Sequence, residues 1–383
     1  MAISGNNLRQ LENFGQSVWL DYIRRHLLLS PEFRRLIDED GLKGMTSNPT
    51  IFEKAIGGSN DYDEQFAELV RQQKTVDELY EELTTADIRR ALDALRPLYD
   101  ATGGRDGFVS YEVSPQLAND TNGTIAAANR YFTLIDRPNL MVKVPATPAG
   151  LPAIEQLISE GRNINITLMF SLKHYNDVAE AYIRGLEKRA QAGLPLAHVA
   201  SVASVFVSRV ETLVDKRLDE KLKAAPDEAV AAMRGTAAVA NAKLIYQRFK
   251  EIFSSDRFNQ LRAKGARVQR PLWASTGTKN PAYSDTKYVQ ELIGPDTVNT
   301  MPPATMDAFR DHGEARATLE QGMAEAAEAV HRLQQAGVDL MEIGQELQQE
   351  GVELFDKSFA DLLNTIETRR TALTGGSSDR QTI

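Results

Sequence analysis

The stretch Asn163-Ile-Asn-Ile-Thr-Leu168 divides its side chains by parity. Successive residues of a strand point to opposite faces, so Asn163, Asn165 and Thr167 share one side and Ile164, Ile166 and Leu168 the other. Two environments produce that alternation. One is a surface sheet with a wet face; the other is a closed barrel whose outer face packs on helices. A surface strand usually ends in longer, charged residues, and this one carries amides and a hydroxyl. The parity therefore favours a barrel interior. In such a barrel the site lies at the C-terminal strand ends, which makes Asn165 and Thr167 candidates.

Seven further apolar or alternating runs surround this one: Ser17–Leu20, Leu42–Thr46, Phe108–Val113, Leu140–Pro145, Val199–Val207, Val268–Ala274 and Thr297–Met301. With Ile164–Phe170 they make eight strand candidates. Helical patterns separate them at Pro31–Glu39, Val76–Tyr99, Thr124–Asp136, Gly150–Glu160, Ser171–Ala192, Val210–Leu222 with Pro226–Phe253, and Ser284–Leu292. Strands alternating with helices argue for a parallel α/β architecture. Eight of them fit a (β/α)8 TIM barrel better than a doubly wound sheet, and no Gly-x-Gly-x-x-Gly turn supports the latter.

No linker divides the barrel region, which we place at residues 1–310. The pattern then turns helical from about Thr305 to Leu373, acidic and broken near Gly337 and Gly351. Leu347, Val352, Leu354, Phe355, Phe359, Leu362, Leu363 and Ile366 give this stretch an apolar face. We expect residues 311–373 to cover or extend the barrel rather than to catalyse. Residues 374–383 read as a frayed tail.

The 383 residues carry a net charge of −9, which argues against a nucleic-acid backbone as partner but leaves a small anionic substrate open. With no cysteine, disulfides, thiolate chemistry and cysteine metal sites are excluded. His26, His174, His198, His312 and His331 are scattered without metal-ligand spacing, so no metal is expected. The sequence shows neither a signal-peptide pattern nor an 18-residue apolar run, and the expectation is a soluble cytoplasmic protein with no membrane partner. Monomer and homodimer are both compatible with the sequence.

Lys143 is the lone charge in Asn139-Leu-Met-Val-Lys-Val-Pro145. Lysine is seldom fully buried without a partner. It either snorkels from the strand end, pairs with a carboxylate, or is desolvated so that its amine becomes a nucleophile toward carbonyls. Other strand ends carry polar groups as well. Asp21 closes the first strand, Asn48 follows the second and Glu112 ends the third. Singly these fit a helix cap, a turn and half of an ion pair. Together they put carboxylates and an amide at the end where Lys143 emerges, a set suited to Schiff-base chemistry. For a phosphate, Ser204 and Arg209 bracket the sixth strand's end and Lys279 lies in the seventh βα loop, although Arg209 also suits a residue that merely opens the next helix.

These segments resemble the transaldolase family, in its longer bacterial branch. The matching stretches are Asp21 after Ser17–Leu20, Thr46-Ser-Asn-Pro49, Ser110-Tyr-Glu-Val113, Met141-Val-Lys-Val-Pro145, Asn163–Ser171, Ser204-Val-Phe-Val-Ser-Arg209 and Trp273-Ala-Ser-Thr-Gly-Thr-Lys-Asn280. They occur in the family's order across about residues 8–370. The resemblance implies a class I aldol mechanism without cofactor, in the non-oxidative pentose phosphate pathway. Lys143 would attack the ketone of sedoheptulose 7-phosphate or fructose 6-phosphate, and Asp21 would take the hydroxyl proton as the carbon–carbon bond breaks. Glyceraldehyde 3-phosphate or erythrose 4-phosphate would accept the dihydroxyacetone unit. Glu112 and Thr167 would manage a catalytic water. Asn48 and Asn165 would hold donor hydroxyls, and Ser204, Arg209 and Lys279 the phosphate. Compact members of the family carry arginine where Lys279 aligns; lysine keeps the charge but loses bidentate geometry.

Holding a lysine amine neutral at pH 7 costs about 4.6 kcal/mol if nothing assists. Nearby carboxylates oppose it, so Asp21 and Glu112 are expected not to pair tightly with Lys143 at rest. The nearest rival is a fructose-6-phosphate aldolase, a lyase on the same scaffold. Those enzymes are much shorter, with tyrosine where Phe206 stands and glutamine where Glu112 stands, so both residues favour transfer. A non-catalytic sugar-phosphate-binding protein would be expected to have lost Lys143 or its partners.

Overall fold

A computed structural model of the chain describes residues 6–375. Eight parallel strands close into one barrel in sequence order: β1 (Gln16–Asp21), β2 (Leu42–Thr46), β3 (Phe108–Glu112), β4 (Leu140–Pro145), β5 (Ile164–Met169), β6 (Ser201–Phe206), β7 (Arg270–Ala274) and β8 (Thr297–Met301). All eight expected strands are present, with some ends shortened. Apart from Lys43 and Asp21, every strand residue is buried, as expected when helices cover the outside and side chains fill the inside. No helix among the described residues is long and apolar enough to cross a membrane.

Two local rules shape the connections. Thr75 caps the helix Val76–Ala101 reciprocally with Glu78, and Asn48 caps the helix Pro49–Gly57 through the Ile51 amide at 2.9 Å. The helices Pro49–Gly57, Asp63–Arg71 and Asp256–Arg262 were not expected. The stretch from 226 to 253 is not one helix. It splits into a single turn at Glu228–Ala231 and the helix Ala237–Phe253, with Gly235 between them at φ +71. The helix expected over Ser284–Leu292 shrinks to one turn, Lys287–Gln290.

The helices Pro303–His312, Met323–Gln335 and Leu340–Gly375 follow β8. The expected break near Gly337 is real, with φ +73. The one near Gly351 is not: the last helix runs through it. Gly344 and Gly351 instead permit close approach. A Cβ on Gly344 would lie 2.8 Å from the Ser171 Cβ, and one on Gly351 2.8 Å from the Leu168 Cδ2. This C-terminal helix therefore lies across the end of β5. Gln348 fastens it by donating to the carbonyls of Ala146 at 2.9 Å and Leu168 at 3.1 Å. Of the expected tail, Thr374 and Gly375 finish the helix, and 376–383 lie outside the described residues.

Leu168 departs from its expected place among the outward apolar residues. The register of β5 on β6 shifts between Ile166 and Met169, and Leu168 takes φ +58. For a bulky residue that conformation is strained. It turns the side chain against Gly351 rather than the outer helices.

Candidate active site

Parallel register sets the site. Glu112 on β3 pairs with Lys143 on β4, which pairs with Asn165 on β5, while Asp21 on β1 pairs with Thr46 on β2. Inward-pointing side chains at these positions meet at the C-terminal end of the barrel. Asp21, Thr46 and Lys143 among them line a cavity of about 340 Å³, together with Asn48, Thr167, Arg209 and Lys279.

Lys143 is 4% exposed and Glu112 7%, and their charged ends lie 3.1 Å apart. The expectation that no carboxylate pairs with the lysine is not met. A buried lysine needs a counter-charge, and register places Glu112 beside it. The amine also donates to the Ser47 carbonyl at 3.3 Å. Burial pushes the Glu112 carboxyl above its ordinary value, against the pull of Lys143. It is thereby a better proton acceptor than an exposed glutamate.

Asp21 is likewise raised by burial, with Lys143 and the Thr46 hydroxyl opposing. Thr46 donates to Asp21 Oδ1 at 2.6 Å and sits 2.7 Å from the Thr300 hydroxyl. Thr167 lines the cavity with a buried hydroxyl that has no hydrogen-bond partner among the described residues. Such a group suits a bound water or substrate oxygen. Asn48 also lines the cavity; its Oδ1 is committed to the helix cap.

Asn165 behaves differently. It is fully buried, donates to Ser110 Oγ at 2.9 Å and accepts from Ser204 Oγ at 2.7 Å. This rail crosses the barrel interior, and Asn165 is absent from the cavity lining, whereas Ser204 reaches it. Asn163, on the same face, serves the barrel floor: it donates to the carbonyls of Pro138 at 3.0 Å and Leu140 at 3.3 Å.

Arg209 is the second residue of the helix Ser208–Ala224. Among the described residues its guanidinium makes no hydrogen bond or ion pair, and burial pulls its pKa down. It lies over the rings of Phe206 at 5.3 Å and Phe355 at 5.8 Å. Lys279 is exposed at the cavity mouth. The sequence reading missed two features of this mouth. Lys54, exposed on the helix after β2, is a further cation. Phe355, on the C-terminal helix, roofs the cavity 5.8 Å from both Lys143 Nζ and Arg209 Cζ. The helix assigned to covering the barrel thus contributes to the site itself.

A family model described as transaldolase/fructose-6-phosphate aldolase matches residues 18–366. The chain belongs to this family. It is therefore an enzyme on the family's barrel, and the match extends into the C-terminal helix. Among its relatives, a protein of Trichodesmium erythraeum named transaldolase is 47% identical over 96% of this chain and 99% of its own length. A transaldolase of Saccharopolyspora erythraea is 48% identical over 95% and 97%, and transaldolase 1 of Streptomyces coelicolor 50% over 85% and 86%. The family description spans both transfer and cleavage, while these near-full-length relatives are all named for transfer.

Proposed function

We propose that this family member is a transaldolase. It moves a dihydroxyacetone unit from a ketose phosphate, sedoheptulose 7-phosphate or fructose 6-phosphate, to glyceraldehyde 3-phosphate or erythrose 4-phosphate through a Schiff base on Lys143. The observation that carries this reading is the buried Lys143 amine beside Glu112, in a cavity also lined by Lys54, Arg209 and Lys279.

The chemistry follows from the contacts. Glu112 takes a proton from the ammonium, and the neutral amine adds to the donor ketone. The carbinolamine loses water, for which the Thr167 hydroxyl, unpartnered among the described residues, is a ready partner. The Asp21 carboxylate accepts the proton of the hydroxyl on the carbon that leaves as an aldehyde, and the carbon–carbon bond breaks. The electrons stay on the nitrogen-conjugated three-carbon fragment until an acceptor aldehyde arrives. Arg209 and Lys279 neutralise the sugar phosphate at the mouth. Phe206 offers no hydroxyl to protonate the bound fragment, which favours transfer over release.

A coupled assay with fructose 6-phosphate, run with and without erythrose 4-phosphate, tests this. Turnover that requires the acceptor is expected. Equal release of glyceraldehyde 3-phosphate without it points to the lyase.

A further inference from the structure

The two cations offered to the phosphate stand on different elements, so something must fix their spacing. Arg209 lies on the helix Ser208–Ala224, and Lys279 on the segment 275–286 that follows β7. Their near ends are tied: the Ser208 amide donates to the Ser275 carbonyl at 3.0 Å, and the two hydroxyls lie 2.8 Å apart. That link is four residues from Lys279, too far to hold a flexible side chain's root in place alone.

A second tie lies on the other side of Lys279. Asp215, six residues beyond Arg209 on the same helix, accepts from the Tyr283 hydroxyl at 2.6 Å through Oδ2. Its Oδ1 accepts from the Gly235 amide at 3.0 Å, which fixes the carboxylate. Gly235 is close against the Tyr283 ring, where a Cβ would come within 2.9 Å. Burial and the Asp215 carboxylate push the Tyr283 hydroxyl above its ordinary value, so it remains the donor.

Tyr283 is in turn tied across the loop to the residues on either side of Lys279. The Tyr283 amide donates to the Asn280 carbonyl at 3.1 Å, the Ala282 amide to Asn280 Oδ1 at 3.0 Å, and the Thr278 hydroxyl to the Ser284 carbonyl at 2.8 Å. Lys279 thus sits on a self-bonded loop clamped at both ends to the helix that carries Arg209.

We propose that Asp215 and Tyr283 are positioning residues that set Lys279 against Arg209, so that the pair grips one phosphate. Neither touches substrate. The inference rests on the proposed function, because it assigns these residues to the phosphate end of that substrate. A loop released from Asp215 would leave Lys279 mobile, and the cost of ordering it would fall on each binding event.

The test is a double-mutant cycle of Tyr283→Phe and Lys279→Ala, read with fructose 6-phosphate and with unphosphorylated fructose. Tyr283→Phe is expected to raise KM for fructose 6-phosphate by about tenfold at little change in kcat, and to move kcat/KM for fructose by less than about twofold. On the Lys279→Ala background it should add almost nothing. Asp215→Asn, which keeps one of the two acceptors, should recover part of the loss that Asp215→Ala shows. Independent, multiplicative effects of Tyr283→Phe and Lys279→Ala, or equal losses on both sugars, overturn the proposal. Inorganic phosphate binding measured by calorimetry repeats the cycle without turnover. If the wild type transfers nothing, the functional reading fails, while the coupling in phosphate affinity still decides this one.

Discussion

The Lys143 Nζ lies 3.1 Å from the Glu112 Oε2, with both side chains almost wholly removed from water. A buried pair of this kind is not a strong stabiliser, since desolvation offsets most of its attraction. In the proposed mechanism its use is a proton route: the carboxylate paired with the amine would also relieve it of a proton. Glu112→Gln keeps the shape and removes the acceptor. We expect kcat to fall by about 100-fold or more, with donor KM changed only a few-fold. Steady-state kinetics with a thermal melt as folding control check this; a kcat within twofold of wild type contradicts the proton route.

Phe206 ends β6, in ring contact with Phe170 at 5.2 Å and beneath the Arg209 guanidinium. Phe206→Tyr adds one hydroxyl to this wall, able to protonate the enzyme-bound three-carbon fragment. Dihydroxyacetone release from fructose 6-phosphate without acceptor should rise at the expense of transfer. Product analysis by chromatography reads the ratio, and an unchanged ratio counts against this explanation of transfer.

Gln348 holds the C-terminal helix to the ends of β4 and β5 through two carbonyls. Gln348→Leu keeps the bulk and leaves both acceptors without that donor, which should cost about 2 kcal/mol in urea unfolding. Because the same helix carries Phe355 over the cavity, kcat/KM should fall as well. Loss of neither would mean that the helix seats itself by apolar packing alone.

Glu211 gives a stability prediction with a definite sign. Its Oε1 accepts from the amides of Ala237 at 3.0 Å and Ala238 at 3.4 Å, its Oε2 has no partner among the described residues, and burial with the nearby Asp215 raises its pKa from 4.5 to about 7. The folded chain therefore holds this proton through a window in which the unfolded chain has lost it. Stability from this group is full below 4.5 and is lost as pH rises toward 7, by at most about 3 kcal/mol. Glu211→Gln should lack that decline. Urea unfolding at about pH 5 and about pH 8 compares the two proteins; parallel changes would refute the assignment.

The barrel was legible because period-two patterns and intervening helices are local signals, and Asn165 and Thr167 showed which face turned inward. The candidate site was legible where strand parity and order place side chains: Asp21, Glu112, Lys143 and Thr167 converge as their positions imply. The bland and functional readings often coexist. Asn48 is a helix cap and lines the cavity, Arg209 opens a helix and lines the same cavity, and Glu112 is half of an ion pair with Lys143, the proposed nucleophile. What stayed hidden depends on contacts between distant parts of the chain. The Leu168 kink turns its side chain against Gly351, a residue far along the chain. Gly351 looks like a helix breaker until that contact is known. Phe355 is one apolar residue among several on its helix, and nothing local says that it faces Lys143. Lys54 left a weaker trace, as a cation six residues past Asn48.

The central claim is that Lys143 carries the substrate, and reductive trapping tests it most directly. The enzyme is incubated with fructose 6-phosphate, reduced with borohydride, digested and mapped by mass spectrometry. The account predicts one three-carbon adduct per chain, on the peptide that contains Lys143, and none in Lys143→Ala. Equal labelling of Lys143→Ala, or an adduct confined to another lysine such as Lys54 or Lys279, would contradict it.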